Sequence, residues 1–254
     1  MYKVTREVGM DKVTFIFFDL DDTLYDAEAA YKRALLSSFK CFSNHEMVKE
    51  ESKVLSWETY EKVYGQARSE VKALLVQSVA SSHSRLLYFK KMTEIIFSRT
   101  CPSLALALDQ SYSSEWSNCD FSQAIEALEF FKKAGFRMAI VTNHICYTQM
   151  EKLAVLDPGG KYFEWVLTSE EVGVEKPNIK IFETAISKSG VSANQITMVG
   201  DSWENDIVGA LKCGMNAVYV DLKNSKKELN FKPTGNLKSI KELKEIVRVI
   251  SGEC

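Results

Sequence analysis

Five short apolar runs, separated by segments with helical periodicity, limit the possible folds of this chain more than any other feature. Each run is mainly apolar and does not alternate between apolar and polar residues, which is typical of strands buried on both faces of a parallel sheet. The runs are Val13–Phe18, Phe136–Val141, Trp165–Thr168, Ile196–Val199 and Ala217–Val220. Their alternation with helical segments predicts an α/β fold, with a doubly wound, Rossmann-like parallel sheet as its core.

The helical segments that follow the later runs carry signals for their ends. Gly135 follows one segment as a helix stop, and Pro177 comes just before the first turn of another. The predicted helices are Ser122–Ala134, Ile145–Leu156, Asn178–Ser189, Trp203–Lys212 and Ser239–Val249.

A long interruption of this pattern separates the first run from the second. Residues 26–118 contain one proline, one glycine and no convincing strand, and their apolar residues recur at helical spacing. The stretch from Ser43 to Glu46 resembles a capping box, and Ser56 is a candidate cap for a later helix. We therefore predict an α/β core and an all-helical cap inserted after the first strand. The core comprises residues 1–25 and 119–254, and the cap comprises residues 26–118.

The composition favours a globular protein that acts on a small molecule. Of the 254 residues, 46% are hydrophobic, and 32 Lys and Arg against 34 Asp and Glu give a formal net charge of −2. Nucleic-acid binding normally requires a basic excess, so we expect no nucleic-acid partner. No apolar run is long enough to span a bilayer and no apolar signal segment precedes Asp11, so we expect no membrane association.

The cysteines indicate a reducing compartment. Six are scattered along the chain without the C-x-x-C spacing of zinc or redox motifs: Cys41, Cys101, Cys119, Cys146, Cys213 and Cys254. Free thiols in a chain of this length predict a cytoplasmic location. A monomer and a homodimer both remain open.

Acidic, hydroxyl, amide and lysine side chains follow the predicted strands at the points where those strands end. They are Asp19, Asp21 and Thr23 after the first run, Thr142 and Asn143 after the second, Lys176 after the third, and Asp201 and Asp206 after the fourth. Taken singly, the later groups also fit a helix cap or a surface turn. Because ligands bind at the carboxyl ends of strands in open α/β sheets, the whole set predicts one functional site.

These residue types suit metal-assisted phosphoryl transfer. Mg²⁺ prefers oxygen ligands and takes one or two carboxylates plus substrate phosphate, so Asp19 and Asp201 are the natural metal ligands. Asp19 can then attack phosphorus, while Asp21 protonates the leaving oxygen and later deprotonates the attacking water. Thr142 can bind the transferring oxygens, and Lys176 adds positive charge where the transition state spreads negative charge.

In this order, the motifs resemble those of the haloacid dehalogenase-like (HAD) hydrolases. The matching stretches are Asp19-x-Asp21-x-Thr23, Thr142-Asn143, Lys176-Pro177 and Gly200-Asp201-x-x-x-x-Asp206. The resemblance covers residues 12–26 and about 119–250, and the helical insert lies where that family has its C1-type cap.

The resemblance also implies a role for each matching residue. Asp19 would be the nucleophile, Asp21 the acid and base, and Lys176 a further catalytic residue. The metal ligands for Mg²⁺ would be Asp19, the main-chain carbonyl of Asp21, and Asp201. The substrate would be bound by Thr142, Asn143 and Lys176, with Asp206 and Thr23 as supporting residues.

Several reactions remain open within this resemblance. Asp21 argues against carbon–halogen cleavage, because a haloacid dehalogenase needs no acid at that position, and Thr23 is more typical of phosphatases than of mutases. The leading hypothesis is a Mg²⁺-dependent phosphatase acting on a sugar phosphate, a phosphoglycolate-like acid or a nucleotide. A sugar phosphomutase and a haloacid dehalogenase are the alternatives. A non-catalytic binding protein is least favoured, because every motif residue is intact.

Substrate choice is expected to depend on the helical insert. Its aromatic residues Phe42, Trp57, Tyr60 and Tyr64 either line the site or pack the helical core, and packing is favoured for each of them. His144, where many relatives have glycine, either approaches the leaving group or points into the following helix. His45 and His83 are expected to be solvated or structural histidines.

Overall fold

The computed structural model of the protein describes residues 13–75, 79–221 and 233–245. Its strands are β1 (Phe15–Phe18), β2 (Arg137–Thr142), β3 (Val166–Thr168), β4 (Ile196–Gly200), β5 (Asn216–Val220) and β6 (Gly235–Leu237). They form one sheet in the order β3-β2-β1-β4-β5-β6, and every neighbouring pair is parallel. The predicted α/β fold is confirmed, and β1 lies at its centre between β2 and β4.

Helices cover both faces of this sheet. In the described residues they are α1 (Ala27–Asn44), α2 (Glu46–Glu50), α3 (Trp57–Leu74), α4 (Arg85–Phe97), α5 (Pro102–Ser113), α6 (Ser122–Lys133), α7 (Cys146–Leu156), α8 (Ser169–Val172), α9 (Ile179–Ser189) and α10 (Gly209–Lys212). Along β1, Ile16 and Phe18 pack into one apolar cluster, whereas Phe15 and Phe17 pack into another. All four side chains are fully buried, and each such burial stabilises the fold by about 1.5–3 kcal/mol.

The helical insert, residues 26–118, contains α1 to α5 and lies between β1 and β2. Ser56 caps α3 as predicted, because its hydroxyl accepts a hydrogen bond from the Thr59 main-chain nitrogen at 3.3 Å. The capping box predicted at Ser43 is wrong. Ser43 lies in the last turn of α1 and donates to the Phe39 carbonyl at 3.0 Å, and α2 begins only at Glu46. A serine that bonds to its preceding helical turn has the same local sequence pattern as one that starts a helix.

Aromatic packing holds the insert together. Phe42 and Tyr60 are fully buried with ring centroids 5.3 Å apart, and Trp57 packs on Phe39 at 5.4 Å. Phe42, Trp57 and Tyr60 therefore belong to the core of the helical insert. Tyr64 packs on Phe89 at 5.7 Å, but it also reaches the cavity described below.

The segment after β4 differs from the single helix predicted at Trp203–Lys212. It begins as a π-helical turn over Trp203–Val208, in which the Ile207 nitrogen donates to the Ser202 carbonyl at 3.3 Å, and α10 follows. A π-helical turn contains one more residue than an α-helical turn, so a search for apolar residues at α-helical spacing does not detect it.

The last part of the sheet also differs from expectation. β6 was not predicted, because Gly235-Asn236-Leu237 contains no apolar run, although it pairs with β5 along its whole length. Of the predicted helix Ser239–Val249, a 3₁₀ segment at Ile240–Glu245 is described, and the remainder lies outside the described residues.

Two further expectations concern the environment of the chain. Within residues 13–75, 79–221 and 233–245, no helix has the length and hydropathy needed to cross a bilayer. Five of the six cysteines lie in these residues and are free thiols, as predicted. The sixth, Cys254, lies outside them.

Candidate active site

The carboxyl ends of the central strands face a cavity of about 640 Å³ that the helical insert also lines. Seven of the eight predicted site residues form part of its wall: Asp19, Asp21, Thr142, Asn143, Lys176, Asp201 and Asp206. The eighth, Thr23, is fully buried and accepts a hydrogen bond from Asp201. Parallel strands end at one edge of a sheet, so residues far apart in the chain meet here.

The Lys176 side chain connects two of the carboxylates. Its Nζ atom lies 2.8 Å from Asp19 Oδ1, 2.6 Å from Asp206 Oδ1 and 2.7 Å from the Val141 carbonyl oxygen. Three acceptors match the three N–H bonds of an ammonium group. Lys176 is 3% exposed, and buried ion pairs of this kind are stable only when their hydrogen bonds are satisfied in this way.

Positive charge is nevertheless insufficient around Lys176. Burial alone would lower the pKa of Lys176, but attraction to Asp19 and Asp206 outweighs burial and raises it, so the ammonium stays protonated. The pKa of Asp19 is raised as well, because burial and repulsion by Asp206 together exceed the pull of Lys176. A single cation shared by two buried carboxylates cannot neutralise both.

Asp19, Asp201 and Asp206 together fit a divalent cation. One carboxylate oxygen of each lies within 4.8 Å of the other two. Burial, followed by repulsion from Asp19 and Asp206, raises the pKa of Asp201 to about 8. An all-oxygen donor set with excess negative charge suits Mg²⁺. Asp206, expected only to support the site, thus offers an oxygen to the same cluster.

Hydrogen bonds from the main chain hold the loop after β4 in place. The Asp201 nitrogen donates to Thr23 Oγ1 at 3.1 Å, which ties this loop to the one after β1. The Ser202 nitrogen donates to Asp206 Oδ2 at 2.9 Å. Thr23 thus contacts the main chain of Asp201, and Asp206 contacts Lys176, while the supporting roles of Thr23 and Asp206 stay predictions.

Thr142 and Asn143 have different surroundings at the end of β2. Thr142 Oγ1 accepts a hydrogen bond from Gln149 Nε2 at 2.7 Å, which leaves its own O–H free to donate toward a ligand. Asn143 instead binds the main chain of Lys176, accepting from its nitrogen at 2.7 Å and donating to its carbonyl at 2.9 Å. Asn143 thereby positions Lys176, and its contact with substrate stays a prediction.

Asp21 is surrounded by donors that the sequence did not reveal. Lys152 Nζ lies 2.7 and 3.0 Å from its two carboxylate oxygens, Gln149 Nε2 lies 3.3 Å from Oδ2, and the Tyr25 hydroxyl donates to Oδ1. Burial would raise the pKa of Asp21, but the charge of Lys152 and the hydrogen bonds from Lys152 and Tyr25 hold it below its usual range. The one available signal was that Lys152 lies on the buried stripe of α7, where a lysine needs a partner.

Gly200 permits the close approach of Asp206, and this leads to a prediction. A Cβ atom at position 200 would lie 2.3 Å from the Asp206 carboxyl carbon, so the Asp206 side chain would have to move. We expect Gly200→Ala to lower the free energy of unfolding by about 1–3 kcal/mol, as overpacking does, and to reduce turnover by displacing a partner of Lys176. Urea denaturation followed by circular dichroism measures the first effect.

Gly65→Ala is the matched control for this change. Gly65 lies inside α3, and a Cβ there would meet no atom within 4 Å. Alanine in a helix interior is about 0.5–1 kcal/mol more favourable than glycine, so this variant should be as stable as the wild type or more so. Equal stability and turnover of Gly200→Ala and the wild type would contradict the proposed contact.

The insert contributes cationic and aromatic side chains to the cavity, and one histidine thought to be structural joins them. His83, in the 3₁₀ turn Ala80–His83, lies with Nε2 2.9 Å from Glu175 Oε1 in the core, and its ring lies 5.0 Å from that of His144. Both histidines line the cavity. A histidine in an insert carries no local signal of this placement, because the contact forms only when insert and core pack together.

Comparison with known proteins agrees with this geometry. A family model described as haloacid dehalogenase-like hydrolase matches residues 16–220. The chain belongs to this family. The match includes the whole HAD motif set from Asp19 to Asp206, together with the helical insert.

Two relatives of this HAD chain are phosphatases. The glyceraldehyde 3-phosphate phosphatase of Methanothermobacter thermautotrophicus is 30% identical over 239 residues, covering 91% of this chain and 98% of the relative. The ribulose-1,5-bisphosphate 5-phosphatase of Halopiger xanaduensis is 35% identical over 217 residues, covering 82% and 84%. The magnesium-bound HAD hydrolase YfnB of Bacillus subtilis shares the fold, with a TM-score of 0.66, 20% identity and coverage of 94% and 100%.

Proposed function

We propose that this protein is a Mg²⁺-dependent phosphatase that hydrolyses a small phosphomonoester. The observation that carries the proposal is the Asp19 carboxylate, held 2.8 Å from the Lys176 ammonium in a cavity that also contains Asp201 and Asp206. The relatives from M. thermautotrophicus and H. xanaduensis are named for small sugar phosphates, which supports a substrate of that class. The cavity volume suits a substrate of that size.

Asp19 is the proposed nucleophile. A carboxylate oxygen of Asp19 bonds to phosphorus, the bond from phosphorus to the substrate alcohol breaks, and an aspartyl-phosphate remains. Lys176 keeps Asp19 oriented and places a fixed positive charge beside the phosphoryl oxygens, while the Thr142 hydroxyl donates to one of them. Water then attacks phosphorus, the bond to Asp19 breaks, and inorganic phosphate leaves.

Asp21 is the proposed proton carrier for both steps. In the first step its carboxyl group gives a proton to the leaving alcohol oxygen, and in the second its carboxylate takes a proton from the attacking water. The hydrogen bonds from Lys152 and Tyr25 favour the carboxylate form, which the second step uses. The proton that Asp21 takes from water in that step is the one that its carboxyl group gives to the leaving oxygen of the next substrate molecule.

The metal has a defined place in this proposal. Mg²⁺, held by the carboxylates of Asp19 and Asp201 and the main-chain carbonyl of Asp21 with Asp206 in support, would offset the negative charge of the bound phosphate. The raised pKa values of Asp19 and Asp201 support this assignment, because they come from burial and from repulsion by neighbouring carboxylates, both of which a bound cation would offset.

We further propose that residues 26–118 act as a cap over a core formed by residues 1–25 and 119–254. The contact between His83 and Glu175 supports a cap that lies over the core, because it joins the insert to the loop that carries Lys176. A cap in this position would exclude water from the phosphoryl group during transfer. We expect the enzyme to work in the cytoplasm.

Metal removal provides a direct test of the proposal. With excess Mg²⁺, the protein should release phosphate from p-nitrophenyl phosphate. An excess of EDTA should abolish that activity, and added Mg²⁺ should restore it. Mg²⁺ should also raise the melting temperature of the resting protein, because it would relieve repulsion among the carboxylates of Asp19, Asp201 and Asp206. Full activity in excess chelator would remove the metal from the mechanism.

A second assay separates phosphatase from mutase chemistry. A phosphatase converts sugar phosphates into free sugar and stoichiometric inorganic phosphate, whereas a mutase interconverts isomers and releases little phosphate. We expect phosphate release to match substrate loss when glucose 1-phosphate and glyceraldehyde 3-phosphate are each supplied. Isomerisation without phosphate release would favour the mutase alternative.

A further inference from the structure

A group of cationic side chains lines the wall that the insert contributes to the cavity. Arg68 and Lys72 lie on α3, and Arg85 is the first residue of α4. All three share this cavity with Asp19 and Lys176. Among the described residues, none of the three cations has a carboxylate within ion-pair distance, whereas Lys91 and Arg99 elsewhere on the insert each do. We call Arg68, Lys72 and Arg85 the insert cations.

The contacts that orient Arg85, as far as the described residues show them, are with neutral groups. Its Nη1 donates to the His83 carbonyl at 2.6 Å, its Nε donates to the Tyr112 hydroxyl at 3.3 Å, and its guanidinium carbon lies 4.8 Å from the centre of the Tyr31 ring. These contacts fix the plane of the guanidinium but use only part of its five N–H donors. Its charge therefore remains available for an anion, and a planar guanidinium suits phosphate or carboxylate especially well.

The insert cations also repel one another. Lys72 is exposed overall, but partial desolvation at the cavity wall lowers its pKa, and the charges of Arg68 and Arg85 lower it further, against the opposing effect of Glu175. Like charges brought together in this way are unfavourable unless an anion lies between them. Their arrangement is thus better suited to a cavity that contains a ligand than to an empty one.

His144 provides an independent sign of a ligand. It lines the same cavity and is 2% exposed, and neither of its ring nitrogens has a hydrogen-bond partner in residues 13–75, 79–221 and 233–245. Burial, followed by the nearby charges of Lys152 and Arg85, lowers its pKa well below the usual range, so the ring is neutral and has one donor and one acceptor. Buried polar groups rarely stay unpaired, so a ligand atom is expected to bind His144.

We propose that the insert cations bind a second anionic group of the substrate, so that the substrate is a small molecule with one phosphate at Asp19 and another phosphate or a carboxylate at Arg85. His144 then binds a hydroxyl or carbonyl oxygen between the two ends. The proposal rests on the phosphatase function for the reaction at Asp19, whereas the binding of the second anion can be tested without it. Nucleoside monophosphates, whose far end is an uncharged base, do not fit.

Two matched pairs of substrates test this subsite by phosphate release. Ribulose 1,5-bisphosphate differs from ribulose 5-phosphate by a second phosphate, and 3-phosphoglycerate differs from glyceraldehyde 3-phosphate by a carboxylate in place of an aldehyde. We expect the wild type to prefer the doubly anionic member of at least one pair by about tenfold or more in kcat/KM, as charge-assisted hydrogen bonds allow. The pair that shows the preference identifies the second anion.

Variants show whether the insert cations cause the preference. Arg85→Met, Arg68→Met and Lys72→Met should each reduce the kcat/KM ratio within the preferred pair, with Arg85→Met reducing it by about 10- to 100-fold. Arg68 and Lys72 are exposed, so their variants stay informative if Arg85→Met folds poorly. Arg99→Met is the control, because Arg99 lies on the same insert but pairs with Glu51 at 3.2 Å outside the cavity, and the ratio should not change.

The results also distinguish failure of this subsite from failure of the phosphatase function. Affinity is measured by calorimetric titration of the Asp19→Asn variant. The doubly anionic member of the preferred pair should bind more tightly than the singly anionic member. If no substrate releases phosphate, both pairs are titrated, and the same difference is expected in at least one of them. Equal affinities, no preference in either pair, or an unchanged ratio in all three variants would overturn the subsite. Absence of phosphate release from every substrate, together with a retained difference in affinity, would overturn the reaction and leave the subsite supported.

Discussion

Asp19→Asn is expected to abolish phosphate release, with turnover of p-nitrophenyl phosphate at saturating Mg²⁺ reduced by at least about 10³-fold. An amide oxygen is too weak a nucleophile to form the aspartyl-phosphate, and every later step depends on that intermediate. Asparagine has nearly the same shape as aspartate and can still accept a hydrogen bond from Lys176. The loss should therefore appear in kcat rather than in substrate affinity.

The stability of this variant serves as its control. The pKa of Asp19 is raised in the fold, so its charged form is disfavoured there, and a neutral amide should leave the free energy of unfolding unchanged or increase it. Trapping of a phosphorylated wild-type protein by rapid acid quench, absent in Asp19→Asn, would locate the bond to phosphorus. Wild-type turnover by Asp19→Asn would disprove nucleophilic catalysis by this residue.

Lys176→Met should destabilise the fold as well as inactivate the enzyme. The substitution leaves Asp19 and Asp206 buried without their shared cation, and removal of one partner of a buried ion pair costs about 3–5 kcal/mol. The loss in free energy of unfolding relative to the wild type should be largest at alkaline pH and should become smaller as the pH falls. A carboxylate whose folded pKa is raised stabilises the fold at low pH and loses that stabilisation as the pH rises through its folded value. Urea denaturation of both proteins at several pH values, in the presence of EDTA, measures this pH dependence of stability.

A double variant separates the charge effect from simple loss of packing. Adding Asp206→Asn to Lys176→Met removes one of the two unpaired carboxylates, so part of the lost stability should return. Lys62→Met, at an exposed position on α3, should change stability by no more than about 0.5 kcal/mol. If the double variant is less stable than Lys176→Met alone, the ion-pair explanation is wrong.

The sheet could be predicted because its signals are local. Strands buried on both faces are mainly apolar, so β1 to β5 appear in the sequence as apolar runs that end within one or two residues of the strand ends. β6 lacks such a run, since it is an edge strand with glycine and asparagine, and only its pairing with β5 reveals it. The π-helical turn after β4 was missed for a similar reason, because it depends on the contacts that Ser202 makes.

The principal site residues could be predicted because they directly follow the strands. A parallel sheet places all its carboxyl ends at one edge, so Asp19, Thr142 and Asp201 must meet once their strands pair. The side chains and main-chain groups that these residues contact could not be predicted from the sequence. Lys152 reaches Asp21 from the middle of α7, and Asn143 binds the main chain of Lys176. Neither contact follows from spacing along the chain.

The sequence by itself determined the α/β fold, the helical insert and the set of carboxylates, hydroxyl, amide and lysine that meet at the strand ends. These features depend on the periodicity of apolar residues or on the position of a residue just after a strand. Both can be read from the sequence without knowledge of long-range contacts. Only the tertiary structure decided which charges are compensated. Within the part of the chain that the structure describes, Lys176 and Lys152 are paired with carboxylates, Arg85 is not, and His144 is buried without a hydrogen-bond partner. Charge compensation and burial depend on distances between elements remote in sequence, which the order of residues does not contain.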